Sequence, residues 1–432
     1  MSDLFAADFK TTAYWWDHVP RPDLPQVAPP ATADVLVIGS GYTGLNAALE
    51  TARGGRATVV IDAEAAGFGC STRNGGQIST SIKSDFDDLK ARYGESERAY
   101  GMLKEGRNAL AWIEDFVARE KIACDFAVVG RFHAAHNAVQ YEKLARSVGQ
   151  EPKGLETGAW AVPRSEQRRE IGTDGYHGGL VYPHHASIDP GRYHQGLLER
   201  CLAAGVTVVP YCPATGIRRE AGGFEVTTPK GMVRAKELVV ATNGYTGAVT
   251  PWHQRRVIPI GSYIIATEML DEALVARLIP NDRILSDTRK VVYYYRASPD
   301  RRRILFGGRV SAAETDPRVS GPKLHADMVR LFPELATTKI SHSWMGFVAY
   351  TFDTLAHTGQ HEGAWYAMGY CGSGVSMASY MGMRIGQKIL GKPEGKTAFD
   401  DLPFPTRPLY TGKPWFLGAA VAWYRWQDKL NM

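Results

Sequence analysis

Cysteine is scarce and unpatterned. Cys70, Cys124, Cys201, Cys212 and Cys371 are the only five in 432 residues, and they form no C-x-x-C pair and no cysteine–histidine spacing of a metal site. A disulfide framework and a structural zinc are therefore not expected, and no metal is assigned; a reducing compartment fits. Charge of one sign is lacking too. Fifty basic against 45 acidic side chains leave a net +5, too little and too dispersed for a nucleic-acid footprint. The one short basic run, Arg301-Arg302-Arg303, reads as a solvated turn. No apolar stretch approaches the roughly 20 residues of a membrane-spanning helix. Met1 to Lys10 carries acidic residues where a secretory leader has basic and then apolar ones. The expectation is a soluble, cytoplasmic protein with no nucleic-acid partner.

What is present is a globular composition. With 44% hydrophobic and 22% charged residues the chain lies far from disordered sequences, and at about 150 residues per domain its length predicts two to three domains, or two large interleaved ones.

After a proline-rich lead-in ending at Pro29-Pro30, residues Ala33 to Ile38 form a continuous apolar run of strand length, as a buried parallel strand requires. Helical spacing follows from Tyr42 to Arg53, Gly54-Gly55 stops it, and Ala57 to Ile61 gives a second strand ending at Asp62. The unit is βαβ. A long amphipathic helix is predicted from Ser96 to Lys121, a strand within Phe126 to Ala135, and a domain change near the polar connection Gly149 to Gly158. Asp189-Pro190 opens a helix through Cys201, with a strand at Val206 to Val209. An antiparallel pair, Phe224 to Thr228 and Val233 to Ala241, comes next. Strands at Val257 to Thr267, Val291 to Arg296 and Ile304 to Gly308 then recur with few helices between them, which is the signature of an antiparallel sheet. A last strand, Trp365 to Met368, runs through a glycine turn into a helix from Val375 to Leu390.

The predicted class is α/β, α+β overall: a Rossmann-type dinucleotide-binding domain interleaved with a mostly antiparallel β-sheet substrate domain. The lead-in takes residues 1–30. The nucleotide domain takes 31–120, 150–250 and 345–392, the substrate domain 121–149 and 251–344, and an aromatic extension 393–432.

Gly39-Ser40-Gly41-Tyr42-Thr43-Gly44 is a G-x-G-x-x-G run between a strand and a helix, with Asp62 about 20 residues further on. Its glycines permit a tight turn and close approach of a pyrophosphate to a helix N-terminus, and the acid accepts hydrogen bonds from a ribose. The motif alone does not separate a nicotinamide from a flavin dinucleotide. Three further backbone-exposing segments, Gly67 to Gln77, Ala241 to Gly244 and Gly372 to Gly374, are more than a nicotinamide domain needs.

Together, Asp34 to Gly44, Arg73 to Gln77, Val240 to Gly244 and Gly369 to Val375 resemble the D-amino-acid oxidase superfamily of FAD-dependent amine oxidases. Tyr176 to Leu180 and Ile258 to Glu268 look most like its γ-glutamylputrescine oxidase-like members, and the resemblance spans residues 12 to 392. It implies an FAD whose pyrophosphate lies on Gly39, Gly41 and Gly44 and whose adenosine ribose lies on Asp62. The Ser71 to Gln77 loop (Ser71, Arg73, Asn74, Gly75, Gly76, Gln77) would pass beside the flavin, and Ala241, Thr242, Asn243 and Gly244 would line the adenine side. Gly372, Ser373 and Gly374 would face the flavin C2 carbonyl, where the positive end of the following helix favours a reduced ring. Tyr42, Thr43, Ala63, Cys70, Ala214, Gly346, Cys371 and Val375 complete the expected cofactor contacts.

The activity implied is oxidation of an amine carbon–nitrogen bond to an imine and then an aldehyde, with O2 reduced to hydrogen peroxide. The alternative is a membrane-surface amine or imino-acid dehydrogenase passing electrons to a quinone or a carrier. Tyr263, Tyr294, Tyr295, Trp344 and Tyr370 are the candidates for an aromatic pocket, and Arg296 and Arg309 for a substrate carboxylate. Structural roles are expected of His184, His185 and His342. Some relatives link the flavin through a cysteine just before the last strand; Trp344 to Ala349 holds none, so FAD is expected to be non-covalent. Leu305-Phe306 stands where some relatives place an oxygen-activating lysine, which leaves oxidase against dehydrogenase open. The aromatic tail from Lys413 to Trp426 is expected to pack back on the protein or at a subunit contact, ahead of a membrane surface.

Overall fold

A computed structural model describes residues 4–311 and 316–429. The expected βαβ start is there: β1 (Thr32–Ile38), α1 (Tyr42–Arg53) and β2 (Thr58–Ile61). Helix α2 (Glu97–Arg119) starts where the Ser96 hydroxyl accepts from Ala99 N, and β3 (Arg131–Ala134) follows it. At α3 (Pro190–Ala203) the Asp189 carboxylate caps Arg192 N at 2.9 Å with proline in the first turn. The chain continues through β4 (Thr207–Val209), β5 (Gly231–Val240), β6 (Ile258–Thr267), β7 (Ile284–Asp287), β8 (Tyr293–Ala297) and β9 (Ile304–Ser311). After α4 (Pro317–Leu331) come β10 (Ile340–Tyr350), β11 (Ala364–Met368), α5 (Gly374–Ile389) and α6 (Leu417–Lys429).

Two large sheets result. In the eight-stranded one, β5, β1, β2 and β4 are neighbours in parallel, β11 joins β5 in parallel, and the hairpin 216–228 extends the edge. Val35, Leu36 and Val37 have no exposure because both faces of β1 are covered. The nine-stranded sheet runs in the order Phe5–Lys10, β10, β6, β9, β8, β7, β3, Gly179–Tyr182, Trp160–Val162. From β10 to β7 its pairs are antiparallel, while β7 and β3 run parallel.

The mixed α/β class is the expected one, but strand membership departs from the expected division of the chain. Trp160–Val162 and Gly179–Tyr182, expected within the nucleotide domain, pair in the nine-stranded sheet beside β3. Residues 345–350 belong to β10 of the same sheet. Phe5–Lys10, expected as part of an extended lead-in, adds an edge strand parallel to β10. These segments are short, and what makes them strands is a partner remote in the chain.

Register decides which side chains of the nine-stranded sheet face the other lobe. One cross-strand row consists of Phe132, Leu285, Tyr295, Phe306 and Ile265, all buried in a core shared with Leu324 and Met328 of α4. The row one residue away, on the opposite face, consists of His133, Ser286, Tyr294, Gly307, Ile264 and Trp344. This second face looks toward the nucleotide lobe.

Candidate functional site

The turn between β1 and α1 is a close backbone contact. Gly39 has φ +107°, and a Cβ on Gly44 would lie 1.9 Å from Gly39 O; both positions demand glycine. The N-cap of α1, Gly41, offers no side-chain acceptor to the N–H groups of Tyr42, Thr43 and Gly44. Tyr42 N donates to Ser71 Oγ at 3.0 Å. Asp62 accepts from Ser40 N (2.7 Å), Ser40 Oγ (2.5 Å) and Glu64 N (3.0 Å). Burial raises its carboxyl above the ordinary value, and the Ser40 and Glu64 bonds oppose that rise. Ala63 lies beside it, and Cys212 N donates to Asp62 O, which brings the Ala214 segment to the same end. His194 is buried under the turn with Nε2 2.8 Å from Ser40 O.

The loop from Cys70 to Gln77 is held from several sides. Trp15 Nε1 donates to Asn74 O at 2.9 Å, Trp16 Nε1 to Thr72 Oγ1 at 2.9 Å, and Trp344 Nε1 to Arg73 O at 2.8 Å. Gly76 N donates to Asn74 Oδ1, and Gly75 lies against the Tyr294 ring. Gln77 Nε2 donates to Tyr295 O at 2.9 Å. The Arg73 guanidinium lies 3.9 Å from the Phe68 ring centroid and donates to Met345 O. Gly346 packs against Cys70 and Arg73.

Between the lobes lies a cavity of about 840 Å³ lined by that loop, by Asn243, by Tyr370 to Val375 and by the inner face of the nine-stranded sheet. Helix α5 also starts without a side-chain cap, at Ser373. Before it, Cys371 (φ +52°) and Gly372 (φ +105°) turn successive backbone groups toward the cavity. The Cys371 thiol donates to Gly369 O, and burial pushes it up to about 11, as it does that of Cys70. Tyr370 Oη is 2.7 Å from Thr43 Oγ1, joining the starts of α1 and α5. Asn243 Oδ1 accepts from Gly369 N at 2.9 Å, with Ala241, Thr242 and Gly244 around it, and Ala241 O stands over Gly39.

Several expected substrate residues lie elsewhere. Tyr263 and Tyr295 sit on the α4 side of the sheet with no more than 1% exposure; the Tyr295 hydroxyl donates to Tyr176 Oη at 3.1 Å. Strand alternation turns them away from the cavity. Arg296 is buried, with Nη1 donating to Gly76 O (3.1 Å) and Ile188 O (3.0 Å) and Nε to Ala297 O (3.0 Å); it ties the loop to the sheet. Trp344 is likewise a loop anchor, buried beside Ile264. The side chain of Arg309 lies outside the described residues. Tyr294 does line the cavity: its hydroxyl is 2.7 Å from Ser262 Oγ, and its ring occupies the place of a Cβ on Gly307, 2.3 Å from its Cζ.

Sequence reasoning missed Trp15 and Trp16, whose signal was an aromatic cluster in a proline-rich segment, and also Lys83, Arg131, His133 and Ser286 of the cavity wall. The tail packs back on the protein. Phe416, Leu417, Ala420 and Tyr424 cover one side of the cavity, and Asp428 accepts from Lys290 N (2.8 Å) and Val291 N (3.2 Å). Trp415, Trp423 and Trp426 remain exposed. Among the described residues no helix is long and apolar enough to cross a membrane and no group of side chains forms a metal site.

The arrangement fits an FAD. The starts of two helices border one cavity, through Tyr42 after the Gly39–Gly44 turn and through Gly372 and Gly374, and Asp62 is held beside the first turn by Ser40. Comparison with known proteins agrees. Residues 34–388 match the family model DAO, FAD dependent oxidoreductase. γ-Glutamylputrescine oxidoreductase of Escherichia coli is 32% identical over 416 residues, 93% of this chain and 94% of that one. A Haemophilus influenzae protein named "Probable oxidoreductase OrdL" is 29% identical with the same coverage. The crystal structure of glycine oxidase from Geobacillus kaustophilus shares the fold at a TM-score of 0.72 with 16% identity, covering 88% of this chain and 99% of that one.

Proposed function

The chain belongs to the DAO family of FAD-dependent oxidoreductases, and on that premise we propose that it oxidises the carbon–nitrogen bond of a γ-glutamylputrescine-like or other amino-acid-derived amine. The product is an imine, which water converts to an aldehyde, and O2 is reduced to hydrogen peroxide. The observation that carries this reading is the two-walled cavity, with helix N-termini on one side and Tyr294 over Gly307 on the other.

Bound FAD supplies the two-electron acceptor. The N–H groups of the Gly372–Gly374 turn and of the start of α5 would help to hold it and would favour the negative charge that reduction brings. Tyr294, Phe347, Phe416 and Leu417 line part of the cavity with apolar surface, and an ammonium desolvated against it loses its proton more readily, leaving the nitrogen lone pair that assists oxidation of the adjacent carbon. Cys70 and Cys371 stay protonated thiols, which supports a non-covalent cofactor. Leu305 and Phe306 are buried, and the cations of the cavity wall are Arg73, Lys83, Arg131, Arg289 and Lys290.

The experiment is anaerobic mixing of the yellow holoenzyme with γ-glutamylputrescine, polyamines and N-methyl amino acids, followed by admission of oxygen. Bleaching by at least one amine and recovery with peroxide formation are expected. Inertness to all of them overturns amine oxidation. Recovery only with a quinone moves the reaction to the dehydrogenase class.

A further inference from the structure

We propose that Arg131, with His133 and Ser286 beside it, anchors a carboxylate of the substrate at a distance from the oxidised nitrogen. The inference rests on the amine-oxidising reading above and adds the class of amine: one derived from an amino acid that keeps a free carboxylate far along the chain.

Arg131 opens β3. Phe132 and Ala134 point into the core with no exposure, so alternation turns Arg131 and His133 to the cavity, whose lining includes both. The guanidinium has no hydrogen bond or ion pair to any described residue, and its Nε has neither accessible surface nor a partner. No carboxylate faces it; the partial negative charge it feels is that of the Tyr182 hydroxyl, and burial pulls it down to about 10. Two other cavity arginines are engaged, Arg73 with Met345 O and Phe68, and Arg289 with Asp287.

The surroundings repeat the pattern. His133 Nδ1 lies 2.9 Å from Ser286 Oγ, and burial together with the Arg131 charge lowers the ring to about 3, so it is neutral. His185, which feels the same Arg131 charge, stacks on Tyr182 at 5.1 Å, and its Nδ1 is a second buried nitrogen without a partner. A half-buried cation that lacks a counter-charge weakens the fold that holds it, and a planar fork of donors on a cavity wall matches a carboxylate in two parallel hydrogen bonds.

Distance sets the class. Ser286 pairs with His133 on one side and with Tyr294 on the other, so β3 and the strand of Tyr294 are two strand spacings apart, roughly 10 Å. With the amine end taken to lie against Tyr294, an α-amino acid, whose carboxylate and nitrogen share one carbon, cannot reach both. An amine carrying its carboxylate six or more bonds away can.

The test uses the holoenzyme, Arg131→Met and Arg131→Lys. Glutarate, which has no amine, is titrated through its perturbation of the bound flavin spectrum, and kcat/KM is compared for 6-aminohexanoate and hexylamine. In Arg131→Met, glutarate binding and the 6-aminohexanoate preference over hexylamine are each expected to fall by about 30-fold or more, as loss of one member of a desolvated charge pair does. Arg131→Lys recovers part of both, and the thermal midpoint of Arg131→Met does not drop. Unchanged glutarate affinity, or equal losses toward the two amines, overturns the proposal. If no amine bleaches the wild-type flavin, the amine reading fails alone, and the glutarate titration still decides whether Arg131 binds a carboxylate.

Discussion

The two walls of the cavity are built by different means. The nucleotide wall is backbone: the Gly39–Gly44 turn and the Gly372–Gly374 turn present N–H groups from the uncapped starts of α1 and α5. The sheet wall is side chain: Arg131, His133, Ser286, Tyr294 and Ser262 reach in from four different strands. A backbone wall tolerates almost no added atom, because its shape is the chain path itself. A side-chain wall accepts substitution and tunes what binds.

The sharpest way to break this contrast is Gly44→Val. Its first side-chain atom would lie 1.9 Å from Gly39 O, so the turn must open; we expect FAD affinity to fall by about 100-fold or more and the protein to purify colourless. A yellow variant with normal cofactor content would show that the turn has room to adjust. Next in size is Arg296→Met. Three carbonyls lose a charged donor, for a stability loss of about 3 kcal/mol, read as a lower thermal midpoint with amine selectivity kept. Altered selectivity at constant stability would instead put Arg296 in contact with substrate.

Acid should loosen the nucleotide wall through a buried histidine. His194 is lowered from 6.5 to about 3 by burial and by Arg21. Its neutral ring bonds Ser40 O, and the stability this gives is complete above pH 6.5. Below that, the unfolded chain takes up a proton that the folded chain refuses, so stability declines between pH 6.5 and 3. Flavin release measured from pH 7 to 4 should follow that decline and be shallower in His194→Asn; identical profiles would remove His194 from the account.

Two smaller effects probe the sheet wall and its cover. Tyr294→Phe removes the bond to Ser262, about 1 kcal/mol, and should lower kcat/KM about fivefold with FAD content unchanged. Asp428→Asn weakens the contact of α6 with the amides of Lys290 and Val291; a change in KM of about twofold or less is expected, and a larger one would make α6 a gate.

Legibility follows the same divide. Gly39 to Gly44, Asp62, the Cys70 to Gln77 loop and Gly372 to Gly374 could be read from the sequence because each segment is contiguous and its residue types answer a local demand. Tyr294 and Tyr295 could not be told apart by composition. Only the pairing of Ser286 with Tyr294 and of Leu285 with Tyr295 sends one ring to the cavity and the other to the core. Arg296 looked like a substrate ligand until its donors were found on Gly76 and Ile188. Arg131 stood in no motif, and Trp15 and Trp16 lay in a segment whose prolines suggested only an extended lead-in.

By itself the chain determined its nucleotide lobe, since glycines, caps and apolar runs act over a few residues and declare themselves in order. The tertiary structure alone decided the other wall: which of two adjacent tyrosines looks inward, that the Arg131 guanidinium meets no acceptor among the described residues, and that the aromatic tail closes over the cavity. Those outcomes depend on strand register and on contacts between residues more than a hundred positions apart, and such contacts leave no mark on local sequence.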